Sequence, residues 1–109
     1  MTIKEIADKL GLKSLTKVFD KTVTGVYISD MVSDVIANAK AGNILVTVQV
    51  HNNVIAAANL VDVAGIVITR GRGPTGDMLA LAEKAEIPIF ATEMSAWQVA
   101  GMLYEAGIR

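Results

Sequence analysis

Residues 44–69 read ILVTVQVHNNVIAAANLVDVAGIVIT, and this stretch decides the fold. It begins and ends with short apolar runs at 44–50 and 65–69, and an alanine-rich segment at 53–60 lies between them. Short runs of β-branched residues are typical of strands, whereas the alanine-rich segment favours a short helix. Two strands joined by a helix form a βα unit, in which the strands run parallel.

The pattern extends towards the N-terminus. Residues 2–5 have the spacing of a capping box and begin a helix that Gly11 ends. A strand is predicted at 23–28, followed by a helix whose start Ser29 or Asp30 would cap. The apolar side chains of that helix are Met31, Val35, Ile36 and Ala39.

The pattern also extends towards the C-terminus, with a helix at 75–85, a strand at 87–91 and a helix at 95–106. Short apolar strands that alternate with helices predict a parallel sheet with right-handed crossovers. We therefore expect an α/β fold: a single compact domain over the whole chain, with a mostly parallel sheet flanked by helices and built from repeated βα units. Residues 1–21 would form an N-terminal helix and lead-in, and residues 22–109 the core.

The composition limits the class of protein. Apolar residues make up 52% of the 109 residues and charged residues 19%, with a formal net charge of -1, so the chain is not disordered. A chain so close to neutral has no bulk attraction for nucleic acid or for an anionic membrane, and we expect neither partner. Cysteine is absent and His51 is the single histidine, so we expect no metal site and no cofactor.

Residues 41–61 contain no Asp, Glu, Lys or Arg and are long enough to span a bilayer, which takes about 20 residues. Polar side chains interrupt this stretch, however, and make membrane insertion unfavourable. The N-terminal residues also lack the apolar core of a signal peptide, so we expect a cytoplasmic protein. A small domain with so few charges should cover part of its apolar surface at a protein interface, and we expect a homodimer.

The 44–50 strand differs from its neighbours because polar side chains alternate with its valines. Burying such groups without partners would cost about 1–3 kcal/mol each. Two explanations stay open: an edge strand with one face in water, or a wall that faces a ligand. The residues of that wall, including those at the carboxyl end of the strand, are Thr47, Gln49, His51, Asn52 and Asn53.

Ligands of open parallel sheets bind beyond the carboxyl ends of the strands. The segment 70–76, RGRGPTG, lies there, and Thr92 and Glu93 follow the last strand. In 70–76, glycines let the backbone approach a ligand, Arg70 and Arg72 can hold an anion, and Thr75 lies at the start of a helix. Against this, an aspartate follows in the first helical turn, and neither a P-loop nor a dinucleotide-binding motif is present. An anion site and a plain βα loop both stay open.

Three further features bear on the function. Asp30, Asp34 and Asn38 are spaced as on one helix face, which suits either a paired-carboxylate site or a helix cap with a solvated surface. Trp97 and the methionines are interpreted as core or interface filling. The five lysines within 1–21 are interpreted as a solvated face.

The chain resembles DRTGG domains over roughly residues 20–109. The stretches that carry the resemblance are TGVYISDMVSDV at 24–35, NAKAG at 38–42, TVQVHNN at 47–53, the strand at 65–69, and residues 87–89 and 95–96. The five-letter string that names the family is absent, and its nearest counterpart is DKTVTG at 20–25.

This resemblance implies an α/β domain similar to the N-terminal domain of HPr kinase/phosphorylase. It also implies similarity to the middle part of long phosphotransacetylases and to the regulatory insert of pyrophosphatases that contain CBS domains. In such hosts the domain is a non-catalytic regulatory or oligomerising module, while other domains carry catalysis. The resemblance supplies no catalytic residues for this chain.

Three functions follow. The first is a non-catalytic regulatory or interaction module that self-associates or docks onto a larger metabolic enzyme. The alternative is a sensor that binds a nucleotide or other phosphorylated small molecule through the 47–53 wall, Arg70, Arg72 and Thr75. The third is a small enzyme that uses His51 with Asp30 or Asp34, which would require these side chains to come within hydrogen-bonding reach.

Overall fold

The chain folds into five helices and five strands, and the computed structural model describes it from residue 1 to residue 109. The predicted helices and strands are all present, and only the two-residue strand β1 was not predicted. In chain order the elements are α1 (Ile3–Leu10), β1 (Lys13–Ser14), β2 (Gly25–Ile28), α2 (Val32–Asn38), β3 (Asn43–Thr47), α3 (Asn52–Val61), β4 (Gly65–Ile68), α4 (Gly76–Lys84), β5 (Ile89–Ala91) and α5 (Ala96–Glu105).

Side-chain caps fix the starts of three helices. Thr2 begins α1 with a reciprocal capping box, and Ser95 begins α5 in the same way. The Thr75 hydroxyl accepts a hydrogen bond from the Met78 amide at the start of α4. Each such cap stabilises its helix by about 1 kcal/mol. Gly11 ends α1 in the left-handed conformation, as its position after the apolar pattern predicts.

The strands form one sheet in the order β1-β5-β4-β3-β2. Strands β2 to β5 run parallel, and β1 pairs antiparallel with the outer side of β5. Helices α2, α3 and α4 pack on one face of the sheet, whereas α1 and α5 pack on the other. The result is a three-layer α/β domain, which confirms the predicted fold class. None of its helices combines the length and the hydropathy that a bilayer crossing requires.

The edge-strand explanation of 44–50 is wrong. β3 lies between β2 and β4, ends at Thr47, and is buried along its whole length. Thr47 is 2% exposed, and its hydroxyl donates to the Asp30 carboxylate at 2.9 Å. The polar side chain is therefore satisfied by another loop of the protein and not by water.

The predicted cap of α2 is also wrong. The helix begins at Val32 with Met31 at its N-cap and no side-chain cap, because the Asp30 carboxylate contacts the end of β3 instead. Asp30 therefore does not share a helix face with Asp34. Two side chains of the predicted apolar face, Met31 and Ile36, are 64% and 45% exposed.

Trp97 does not fill the core, since it is 85% exposed. The methionines divide: Met78 is fully buried under the sheet, while Met1, Met31 and Met102 are exposed. The interpretation of these exposed side chains as interface residues stays a prediction.

Candidate functional site at the carboxyl end of the sheet

At the carboxyl ends of β2 and β3, polar groups satisfy one another. Asp30 Oδ1 accepts hydrogen bonds from the Thr47 hydroxyl at 2.9 Å and the Val48 amide at 2.8 Å. The Gln49 side-chain amide donates to the Asp30 carbonyl at 2.9 Å. A free volume of only about 10 Å³ remains among these residues, room for about one water molecule.

Beside this cluster, the Tyr27 hydroxyl donates to both carboxylate oxygens of Asp34 at 2.8 Å. Hydrogen bonds from Ser29, Tyr27 and Asn38 lower the pKa of the Asp34 carboxyl, because they stabilise its charged form. The pKa of Tyr27 is raised, first by the hydrogen bond to Asp34, then by burial and by the negative charge of that carboxylate. This arrangement ties β2 to α2.

At the carboxyl ends of β4 and β5, by contrast, the structure opens into a cleft of about 710 Å³. The loop at 71–74, which leads from β4 to α4, forms one wall, and 92–94, which lead from β5 to α5, form another. Lys13 and Leu15, in and just after β1, form the third wall. We call this space the β4–β5 cleft.

The cleft lies where successive connections switch from one face of the sheet to the other. The crossovers from β2 to β5 pass through α2, α3 and α4 on one face of the sheet, but α5 lies on the opposite face. The connections leaving β4 and β5 therefore diverge, and a crevice opens between them. This is the place where open α/β sheets bind their ligands.

Backbone contacts hold the two diverging loops at a defined separation. The Arg70 amide donates to the Met94 carbonyl and the Gly71 amide to the Thr92 carbonyl, both at 2.9 Å. Arg70 and Gly71 have φ angles of 62° and 66°, in the left-handed region. The Glu93 carboxylate lies directly against the Cα atom of Gly71, where any side chain would collide with it.

The side chains of the cleft combine charge with an apolar floor. Lys13 and Arg72 are exposed cations, and Glu93 is an exposed anion. The apolar part of the lining consists of Leu15, Pro74, Leu79, Ala91 and Met94. Such a cleft can hold a small molecule with an anionic end, an apolar or aromatic part, and a hydrogen-bond donor near Glu93.

Comparison with known proteins agrees with this architecture. A sequence model of the DRTGG domain matches residues 5–106. The chain belongs to the DRTGG domain family. No protein of curated function matches this DRTGG domain by sequence.

A solved structure similar to this DRTGG domain is that of the CBS and DRTGG domains from the regulatory region of Clostridium perfringens pyrophosphatase. That structure is complexed with an activator, diadenosine tetraphosphate. The TM-score is 0.71 at 15% sequence identity, over 94% of this chain and 45% of that one. This DRTGG domain therefore shares its fold with the pyrophosphatase region and spans less than half of its length.

The predicted site residues of this DRTGG domain fall into three groups. Arg72 lines the β4–β5 cleft, and Arg70 lies exposed beside it with its backbone amide engaged. The Thr75 hydroxyl caps α4. The polar side chains at the end of β3 and the start of α3 lie outside the cleft: Thr47, Gln49, His51, Asn52 and Asn53.

The groups of the third hypothesis are not brought together. The Asp30 carboxylate accepts hydrogen bonds from the end of β3, and the Asp34 carboxylate accepts them from Tyr27 and Asn38. Neither carboxylate accepts a hydrogen bond from His51. His51 stands exposed at the N-cap of α3. No group of three or more His, Asp or Glu side chains is placed to hold a metal ion.

Lys13 is the charged cleft residue that the sequence does not indicate. It belongs to a strand of two residues, which has no periodicity of its own, and it was interpreted as part of a solvated lysine face. The signal that could have indicated it is its position two residues after Gly11, the residue that ends α1 and also lines the cleft. Glu93, in contrast, was placed at this edge because it follows a predicted strand.

Proposed function

We propose that this DRTGG domain is a non-catalytic regulatory domain that binds a nucleotide or other phosphorylated small molecule in the β4–β5 cleft. The observation that carries the proposal is the cleft itself, of about 710 Å³ at the point where the connections of the sheet diverge. Cavities of about 300–1,000 Å³ are typical of small-molecule sites.

The chemistry of the lining favours this ligand class. Lys13 and Arg72 would hold the phosphate, since charge-assisted hydrogen bonds to phosphate are stronger than neutral ones. The apolar floor between Leu15 and Leu79 would accept a base or another ring, and Glu93 would accept a hydrogen bond from a ligand N–H or O–H. The activator bound to the pyrophosphatase regulatory region also supports a nucleotide as the first ligand to test.

Calorimetric titration with AMP, ATP and diadenosine tetraphosphate tests the proposal. We expect saturable binding by the wild-type chain, and a loss of roughly tenfold or more in affinity for Arg72→Ala and for Lys13→Ala, because a hydrogen bond to a charged group contributes about 1.5–3 kcal/mol. Lys40→Ala removes one exposed cation outside the cleft and should leave the affinity unchanged.

Arg70 serves as a sharper comparison, because it neighbours the cleft without lining it. We expect Arg70→Ala to weaken binding less than Arg72→Ala, and the double variant to abolish it. Binding that survives the double variant, or equal losses in Lys40→Ala, would place the ligand elsewhere. Absence of binding by all three nucleotides would contradict the nucleotide proposal.

The regulatory effect would be transmitted by protein contact, either within a homodimer or with a larger metabolic enzyme. Exposed apolar side chains favour this second part of the proposal: Trp97, Leu60 and Met31 are 85%, 71% and 64% exposed. Apolar surface in a small domain with few charges is typical of an interaction surface. Light scattering at high micromolar concentration tests the homodimer, which should have twice the chain mass of 11.5 kDa.

A further inference from the structure

The two edges of the sheet differ in how they are protected. On one side the sheet ends with β1, which is only two residues long and carries Lys13. A short strand with a charged side chain discourages the pairing of another strand. On the other side it ends with β2, four residues long and without a charged residue, a proline or a bulge.

The backbone of β2 presents free hydrogen-bonding groups along this open edge. The Ser29 amide donates to the Val46 carbonyl of β3 at 3.2 Å, so the backbone groups of residue 29 point towards β3. In a parallel pair, alternate residues direct both backbone groups to the same neighbour, so Tyr27 also faces β3. Val26 and Ile28 consequently direct their N–H and C=O groups away from the sheet.

We infer that β2 pairs antiparallel with β2 of a second copy of this chain, around a two-fold axis at Tyr27. In this register, Val26 of one copy lies opposite Ile28 of the other, and the same pair recurs on the other side of the axis. Both residues present their outward backbone groups, so each pair exchanges two N–H···O=C bonds. The inference rests on the proposed self-association and deepens it by naming the surface.

Charge favours a second copy as the occupant. A strand that pairs with itself around a two-fold axis brings like residues close together, and like charges there are destabilising. β2 has none. The nearest carboxylates lie outside the paired strands: Asp30 would face Thr24 of the other copy in this register, and Asp34 lies on α2.

Exposed apolar side chains occur in β2 and in the helix that follows it. Ile28 is 45% exposed at the end of β2. Met31 at the N-cap of α2 and Ile36 within it are 64% and 45% exposed, and α2 is the helix that follows β2. Pairing through β2 would extend the sheet across both copies and give Ile28 an apolar neighbour, Val26 of the other copy.

Light scattering on edge variants tests the inference. The wild-type chain should have twice the mass of 11.5 kDa. Val26→Pro removes an outward N–H group at an edge strand, where proline is tolerated, and also replaces a half-buried side chain that packs on the core. Ile28→Lys leaves the core unchanged and places a charge at the pairing surface. We expect both variants to be folded monomers. Leu60→Lys and Trp97→Lys place the same charge on α3 and α5 and should stay dimeric.

A cysteine experiment tests the register. The chain has no cysteine, so Tyr27→Cys introduces a single thiol. At the axis, residue 27 would form a non-hydrogen-bonded pair with its copy, with Cα atoms about 4.5 Å apart, within the range of about 4.4–6.8 Å that a disulfide spans. Oxidation should cross-link Tyr27→Cys into a covalent dimer, whereas Leu60→Cys should stay uncross-linked.

The outcomes separate this inference from the proposed function. A wild-type dimer that survives Val26→Pro and Ile28→Lys, or that Trp97→Lys dissociates, overturns pairing through β2 and leaves self-association standing. A wild-type monomer overturns both the β2 pairing and the proposed self-association, and leaves nucleotide binding in the cleft to its own calorimetric test. Circular dichroism of each variant confirms that a monomer is folded, and cross-linking by Tyr27→Cys supports the register even if a β2 variant unfolds.

Discussion

The two halves of the sheet's carboxyl edge differ, although both are built from βα units. At the β2–β3 half, Asp30 accepts hydrogen bonds from Thr47 and Val48, and about 10 Å³ of free volume is left. At the β4–β5 half, the loops diverge around a cleft of about 710 Å³. The difference follows from the side of the sheet to which each connection turns, because only the connections leaving β4 and β5 turn to opposite faces.

This comparison separates polar residues that stabilise the fold from those free to bind. Thr47 and Gln49 form a polar cluster whose hydrogen bonds stay within the chain. Lys13 and Arg72 line an open cleft. A change at the first half should therefore alter the free energy of unfolding, and a change at the second half should alter ligand binding.

The largest expected effect on stability is that of Asp30→Ala. It leaves the buried Thr47 hydroxyl and the Val48 amide without their acceptor, which should lower the free energy of unfolding by about 2 kcal/mol, the usual cost of an unpaired buried group being about 1–3 kcal/mol. Urea denaturation measures this loss. Asp30→Asn keeps an acceptor oxygen and should lose less. A loss of nucleotide affinity in folded Asp30→Ala would show that the two halves are not independent.

Gly71→Ala should combine a smaller loss of stability with a loss of binding. Its φ of 66° costs a residue with a side chain about 1–2 kcal/mol, and the new methyl group would displace the Glu93 carboxylate at the cleft. Gly76→Ala is the matched control, because open space surrounds that position, its φ is not positive and it does not line the cleft. Denaturation and nucleotide titration of both variants measure the difference. Equal behaviour of the two would contradict the role of Gly71.

The fold could be predicted because its signal is local. Each βα unit is formed by about 20 consecutive residues, and capping boxes mark the starts of α1 and α5. The wrong prediction at β3, an edge strand with one face in water, depends on a contact that is not local. The alternation of polar residues and valines predicts that Thr47 faces solvent or a ligand, whereas its actual partner is Asp30, 17 residues away along the chain. Sequence periodicity does not show which distant loop satisfies a buried hydroxyl.

The site could be predicted only in part, for a similar reason. The position of Arg72 and Glu93 follows from the rule that ligands bind at the carboxyl ends of parallel strands. Lys13 comes from β1, whose antiparallel pairing with β5 is decided by tertiary contacts and not by its two residues. Trp97 does not share the helical spacing of Val99 and Leu103, the buried residues of α5, so its exposure could have been predicted from the sequence.

Thr47 and Thr69 sharpen the comparison, since both follow or end a central strand and both are buried. The Thr47 hydroxyl is partnered, whereas the Thr69 hydroxyl has no hydrogen-bond partner. We expect Thr69→Val to raise the free energy of unfolding by about 1 kcal/mol, because an unpaired buried hydroxyl is replaced by a methyl group of the same shape. Thr47→Val should lower it. Denaturant titration compares the two, and a destabilised Thr69→Val would mean that its hydroxyl has a partner in solution.

The smallest expected effect is on the pH dependence of stability, through Tyr27 and Asp34. The pKa of Asp34 is lowered in the folded chain, so its contribution is present above the unfolded value of 3.8 and is lost as the pH falls through the folded pKa. The pKa of Tyr27 is raised above 10.0, so its contribution is present below that value and is lost as the pH rises towards the folded pKa.

Tyr27→Phe removes the hydrogen bond between Tyr27 and Asp34, which contributes to both pKa shifts. Thermal unfolding across acid and alkaline pH should therefore show a flatter profile for Tyr27→Phe than for the wild type, and Tyr104→Phe, which changes an exposed tyrosine on α5, should leave the profile as it is. Identical profiles for wild type and Tyr27→Phe would mean that this pair does not couple folding to protonation.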